Sequence, residues 1–192
     1  IKSINDVNDE THIRDLIWHD VICLQSKSKD YDLDSTDILT AVNTIVFERA
    51  KEFALGVPRD KFTSKIVDAL FSEGVIVEYD GMLRLKYDIF EDICFEHYFD
   101  KEFIGCKSNY EHFFNKIESL GRCVYRRYQI WVSNKIFTKN NRDKFLYSLV
   151  FSKQMPTKWR EQTIIGIVKS KYCEPFFEEY GEELIGNKVL TD

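Results

Sequence analysis

The sequence has no apolar run approaching the roughly 18 to 20 residues that a helix needs to cross a bilayer, which excludes a membrane-spanning class. Its five cysteines, at positions 23, 94, 106, 123 and 173, form no CxxC pair. An odd number without that spacing argues against a disulfide framework or a zinc ribbon and favours reduced thiols in a cytoplasmic setting. The stretch 1–18 lacks the basic start and uninterrupted apolar core of a signal peptide, and the chain does not begin with Met, so it reads as a segment of a longer one. None of the eight glycines stands in a GxxxxGKS or GxxxxGKT loop. The backbone N–H groups and lysine of such a loop hold a nucleotide's phosphates, so the chain by itself is not expected to hydrolyse ATP. Positive charge is also short: 27 Lys and Arg against 32 Asp and Glu leave a net −5. Nucleic acid is therefore not the expected partner, because binding phosphates requires clustered cations.

What the 192 residues do contain is enough apolar material for one large or two small cores: 44% are hydrophobic and 15% aromatic. Ile13, Leu16, Ile17, Val21 and Leu24 recur at helical spacing over Glu10 to Leu24, and the polar stretch Gln25 to Asp34 reads as a linker. Ser35 or Thr36 is suited to cap a second helix with the stripe Ile38, Val42, Ile45, Val46 and Phe53, closed by Gly56-Val57-Pro58. A third helix is predicted from about Asp60, with Phe62, Ile66, Ala69 and Leu70 on one face and Gly74 as its stop.

Val75 to Tyr79 and Met82 to Tyr87 flank Asp80-Gly81, the two-residue connection that favours a type I′ hairpin turn. The helix that follows carries Phe90, Ile93, Cys94 and His97 on one side and Phe95, Phe99 and Phe103 on another, so it is expected to be packed on both faces. After a loop around Gly105 to Asn109, a helical segment is predicted to Phe137, with Gly121 as a kink. Helices are expected over Asn141 to Ser152, Thr157 to Lys171 with Pro156 at the first position, and Glu174 to Leu184. The fold class expected is mainly α with a small β-hairpin. Residues 1–35 form an N-terminal helix and linker, 36–104 a winged-helix domain, and 105–192 a helical region that opens a helical array.

Helix, helix, hairpin and helix is the order of a winged-helix domain. At the wing's exit, Leu85-Lys86-Tyr87-Asp88 followed by IFEDICFEHYF resembles the winged helix of the STAND class of P-loop NTPases, including NACHT and AP-ATPase-like defence proteins. There a phenylalanine-x-histidine-aspartate type motif ends the second wing strand. Arg126-Arg127 with Trp131, in CVYRRYQIWVSNKIF, is similar to an arginine-rich helix that often follows. Lys158-Trp159-Arg160-Glu161 with IIGIVKS and PFFEEYGEELI resembles the start of that class's helical array, so the likeness runs from about Asp37. The resemblance implies a non-catalytic regulatory and scaffold segment of a signalling or defence ATPase. Its partner would be a nucleotide-binding domain of the same polypeptide, ATP or ADP would be held by the parent rather than by this chain, and the segment could self-oligomerise. It also implies a nucleotide-sensing role for Tyr87 and Asp88, although Tyr87 stands where the motif has histidine.

Plainer readings stand beside these. Asp88 at a helix start is also an ordinary cap favoured by the helix dipole, and Tyr87 is also a half-buried wing residue. Arg122, Arg126, Arg127 and Trp131 are candidates for an interaction surface, or the arginines for surface salt bridges. His19 with Cys23 and Cys94 with His97 have ligand-like spacings, but core packing accounts for Cys94 and His97, and no metal site is expected. Asp30, Asp32 and Asp34 imitate a calcium loop, yet Ser35 stands in place of its glycine and Ala41 in place of its glutamate. In the recognition-helix segment Arg59 to Glu73, Arg59, Lys61 and Lys65 are cancelled by Asp60, Asp68 and Glu73. The alternative function, an autonomous winged-helix DNA-binding regulator with a helical dimerisation domain, would need that helix to be cationic.

Overall fold

The computed structural model describes residues 8–107, 109–137, 145–153 and 155–186. The protein is mainly helical with one small antiparallel sheet, and it divides into two compact units, Ile1–Cys94 and Phe95–Asp192. The division falls inside a helix, earlier in the chain than the loop at Gly105. No helix among the described residues is long and apolar enough to cross a membrane.

In the first unit, α1 (Asn8–Leu16) runs on into a π-helical stretch, Ile17–Ile22, that buries Trp18 and Ile22. The polar stretch after it is mostly exposed. It is a series of turns bonded to one another, with Ser28 donating to the Leu24 carbonyl at 2.7 Å and Leu33 to the Ser28 carbonyl at 3.0 Å. Helix α2 (Ser35–Glu52) is capped by Asp34, whose carboxylate accepts from the Thr36 amide at 2.7 Å, rather than by Ser35 or Thr36. Its stripe Ile38, Ala41, Val42, Ile45 and Val46 is buried, but Phe53 ends the helix in the left-handed region at φ 51° and stays exposed.

Gly56-Val57-Pro58 does more than close α2. Val57–Pro58 is a strand, β1, antiparallel to the later strand at Met82–Leu85, and a Cβ on Gly56 would stand 2.8 Å from the Leu83 carbonyl oxygen. A 3-10 turn at Arg59–Lys61 then precedes α3, which spans Ser64–Ser72 rather than beginning at Asp60. Gly74, at φ 70°, turns the chain into β2 (Ile76–Tyr79) and β3 (Met82–Leu85), joined by Asp80 and Gly81 at φ 50° and 72°, as a type I′ turn requires. The strand order is β1-β3-β2, and α2, β1, α3, β2 and β3 together give the order of a winged helix. Leu83, Leu85 and Ile76 are buried on its inner face.

Helix α4 (Asp88–Gly105) leaves the wing directly. Within the first unit its Glu91, almost fully buried, is ion-paired with Arg49 of α2. A buried carboxylate needs such a partner, and the pair fixes how the start of α4 sits on α2.

In the second unit the predicted helix to Phe137 is two helices, α5 (Tyr110–Glu118) and α6 (Val124–Lys135). Gly121, at φ 87°, breaks the chain between them rather than kinking it. Helix α7 (Tyr147–Phe151) covers part of the segment expected from Asn141, of which 141–144 lie outside the described residues. Pro156 caps α8 (Thr157–Lys169) from just outside its first turn, and α9 (Cys173–Gly186) follows. The core is a network of rings. Phe99, Phe103 and Phe113 meet Trp131 with centroids 5.7 to 5.8 Å away, and Phe114 stacks on Trp159 at 4.9 Å. Tyr128 is fully buried there, which pushes its phenol well above the ordinary value, and it shares a 2.7 Å hydrogen bond with the Thr163 hydroxyl.

Candidate functional site

In a winged helix, α3 and the wing are the elements that a groove-binding protein would present. Here α3 buries Val67, Ala69 and Leu70 and turns Lys65 and Asp68 outward. Around it, cations are engaged by carboxylates of the same unit. Lys65 donates to the Asp32 carboxylate at 2.7 Å and to the Asp32 carbonyl at 2.6 Å. Arg59 donates to Glu78 on β2 at 2.6 Å and reaches Asp68 at 3.5 Å. Lys61 pairs with Glu48 of α2 at 2.5 Å, and Lys27 pairs with Glu73, which also accepts from the Tyr31 hydroxyl at 2.8 Å.

The charges respond as expected. The hydrogen bond and charge of Lys65 hold Asp32 below the ordinary carboxylate value, and hydrogen bonds from Lys27 and then Tyr31 do the same for Glu73. Exposed pairs of this kind add little to stability. Their consequence is electrostatic, because each cation presents a neutral pair to solvent rather than a free charge to a phosphate. Composition showed that the segment Arg59 to Glu73 sums to zero, but not which carboxylates pair with which cations. Asp32 and Glu48 are distant in sequence, and only the fold brings them to Lys65 and Lys61.

The wing's exit places Tyr87 and Asp88 side by side on the surface. Tyr87 is 51% exposed, its ring meets Phe90 edge-on at 5.2 Å, and the Lys86 ammonium lies 5.3 Å from its centroid. The Tyr87 carbonyl accepts from the Phe90 amide at 3.0 Å, and Asp88 opens the first turn of α4 together with Glu91. A carboxylate there is matched to the helix dipole.

The candidates on α6 are split between core and surface. Trp131 is 1% exposed, and its indole N–H donates to Asp100 at 2.9 Å, so it belongs to the ring network and not to a surface. Arg127 is half-buried with its guanidinium 5.6 Å from the Phe95 ring. Arg122 and Arg126 are exposed. The amphipathic pattern of this helix located Trp131 on an apolar face, but only the packed helices tell a core face from a docking face.

Among the described residues no group of three or more His, Cys, Asp or Glu is placed to hold a metal ion. His19 is exposed, whereas Cys23 is buried and its thiol is pushed up to about 12. Cys94 is raised well above 9.0 by burial, with the nearby Cys23 adding to it.

No protein-family model matches this chain, and no curated protein matches it.

Proposed function

We propose that the chain is a non-catalytic regulatory and scaffold segment of a STAND-type NTPase, in which the winged helix contacts protein rather than nucleic acid. The observation that carries this reading is the pairing of Arg59, Lys61 and Lys65 with Glu78, Glu48 and Asp32. Cations on the recognition helix and in the turn before it that are held by their own unit release few counterions on meeting a duplex, and counterion release supplies a large share of the affinity of DNA-binding domains. The resemblance of Leu85 to Phe99 and of the later helices to that class supplies the rest. On this reading Tyr87 and Asp88 lie at the junction with a nucleotide-binding domain that holds ATP or ADP, and a nucleotide-dependent switch moves the winged helix as a rigid body.

The test is binding of the purified chain to random duplex DNA over a salt series, with ATP hydrolysis measured alongside. The expected result is no hydrolysis and no more than weak DNA affinity. A fall of about 1,000-fold or more in affinity between roughly 50 and 200 mM salt would favour the autonomous DNA-binding regulator instead. Hydrolysis by the chain alone would sink the regulatory assignment.

A further inference from the structure

The two faces of the small sheet are unlike. Residues paired directly across a ladder point to the same side. Leu85 with Ile76 is therefore on the buried face, while Met82 with Tyr79 is on the other, and Arg84 shares that outer side two positions along β3. The outer side is open to solvent: Tyr79 is 71% exposed, and Leu55, which leads into β1, is 82% exposed. Leu55, Tyr79, Asp80, Met82 and Arg84 line one groove of about 330 Å³. A wet face of an antiparallel sheet normally carries polar residues, whereas this one carries the Tyr, Met and Arg that are enriched in protein interfaces.

Its charges are also unlike those around α3. Arg49 and Arg59 are tied to carboxylates of their own unit. Among the described residues, no carboxylate lies within ion-pair distance of Arg84, and no cation within that distance of Asp80. Asp80 sits in the turn, and Arg84 lies two positions beyond Met82, roughly 7 Å further from the turn along the strand. The groove thus has an anion at one end, a cation at the other and apolar side chains between them.

We propose that this face is a two-fold self-association surface, on which a second copy of the chain lays its own groove. Arg84 of each copy then faces Asp80 of the other across the joined Leu55, Tyr79 and Met82 side chains. A two-fold axis brings a patch onto itself with its ends exchanged, which is the operation that matches this arrangement of charges. A surface made for an acidic partner would not keep a carboxylate at its rim, and one made for a basic partner would not keep Arg84. The patch is small, so the association belongs with weak, transient contacts of micromolar affinity or less. The proposal rests on the reading of the winged helix as a protein-contacting module.

Sedimentation velocity of the whole chain, from about 1 µM to about 1 mM, tests it. A concentration-dependent dimer is expected. Arg84→Glu weakens it by about 100-fold or more, because each dimer then holds two like-charged pairs. Asp80→Lys does the same, while the double variant Arg84→Glu/Asp80→Lys regains dimerisation to within about 10-fold of the original, as the exchanged charges again meet their opposites. Since Asp80 occupies a left-handed turn position that Lys fits less well, Leu55→Asp is the independent check. It changes a highly exposed residue outside the strands and is expected to abolish the dimer without lowering the melting temperature. A chain that stays monomeric throughout, or a dimer indifferent to Arg84→Glu and Leu55→Asp, overturns the proposal. If that monomer also binds no DNA, the protein-contact reading survives. Steep, salt-dependent duplex binding lost in Arg84→Glu would overturn both.

Discussion

The first unit fills its core mostly with aliphatic residues, and the second mixes them with a network of rings. Among the described buried residues of the first, Ile38, Val42, Ile45, Val46, Val67, Leu70, Val75, Ile76, Leu83 and Leu85 outnumber the aromatic Trp18 and Phe90. In the second, Phe95, Phe99, Phe113, Phe114, Tyr128, Trp131, Trp159 and Phe176 share the core with aliphatic residues such as Ile117, Val124, Val132 and Ile167. The difference follows from what each unit must join. A sheet packed by helices needs branched side chains that fit a pleated surface. Helices without a sheet are joined by large side chains, whose edge-on contacts such as Phe99 with Trp131 add orientation to burial. The first unit therefore spreads its stability over many modest contacts, and the second adds a few large ones.

The largest effect is expected at the centre of the ring network. Trp131→Ala should cost about 3 to 5 kcal/mol, against about 2 kcal/mol for Val46→Ala, which removes two methyl groups. Both are read from urea unfolding followed by far-UV circular dichroism. A loss at Trp131 no greater than that at Val46 would break the contrast.

Next come two glycines that sharpen it. A Cβ on Gly166 of α8 would lie 2.9 Å from the Gln129 carbonyl oxygen and 2.9 Å from Val132 Cβ on α6, while one on Gly181 of α9 meets nothing within 4 Å. Gly166→Ala is expected to cost about 1 to 3 kcal/mol. Gly181→Ala is expected to gain about 0.5 to 1 kcal/mol in the same assay, because glycine is a poor helix former. If the two substitutions proved equal, α6 and α8 would not approach as closely as described.

The smallest effect is sensitivity to acid. Asp32 and Asp34 of the first unit are held low by Lys65 and by the Thr36 amide, and Glu118 of the second by Lys158. A carboxylate whose pKa is depressed in the fold adds stability that is present above its unfolded value, 3.8 for Asp and 4.5 for Glu, and is lost as the pH falls through the folded one. The melting temperature should fall modestly between roughly pH 5 and pH 3. In high salt the drop should shrink for the ion pairs and persist for the Asp34 cap. A melting temperature that rose on acidification would contradict the assigned contacts.

The features legible in the sequence are those written locally. Asp80-Gly81 gives the turn and with it the wing, and the stripe from Ile38 to Val46 gives α2. Strand β1 was not legible. Two residues carry no period, and Val57 and Pro58 are a strand only because Leu83 and Met82 lie beside them. The cap of α2 was misplaced by one residue because Asp34, Ser35 and Thr36 are all capping types. The hand of the backbone at Gly121, which separates α5 from α6, is a matter of φ and not of composition. At the candidate site the zero net charge of Arg59 to Glu73 could be summed from residue types, but the pairing of Lys65 with Asp32 and of Lys61 with Glu48 could not. Trp131 was an interface candidate by amphipathicity and is a core residue by packing.

Pro58 has a consequence for what the sheet avoids. The Arg59 amide, just past β1, donates to the Gly81 carbonyl at 2.9 Å, so the amides of Arg59 and Val57 face β3 and the nitrogen of Pro58 between them faces the open edge. That nitrogen has no hydrogen to offer an arriving strand. The opposite edge, β2, is four residues long and carries a charged Glu78. Short, proline-blocked or charged edges are how sheets resist runaway strand addition. The winged helix is thus protected against growing into a fibril through its backbone, even while Leu55 and Tyr79 leave the broad side of the same sheet open.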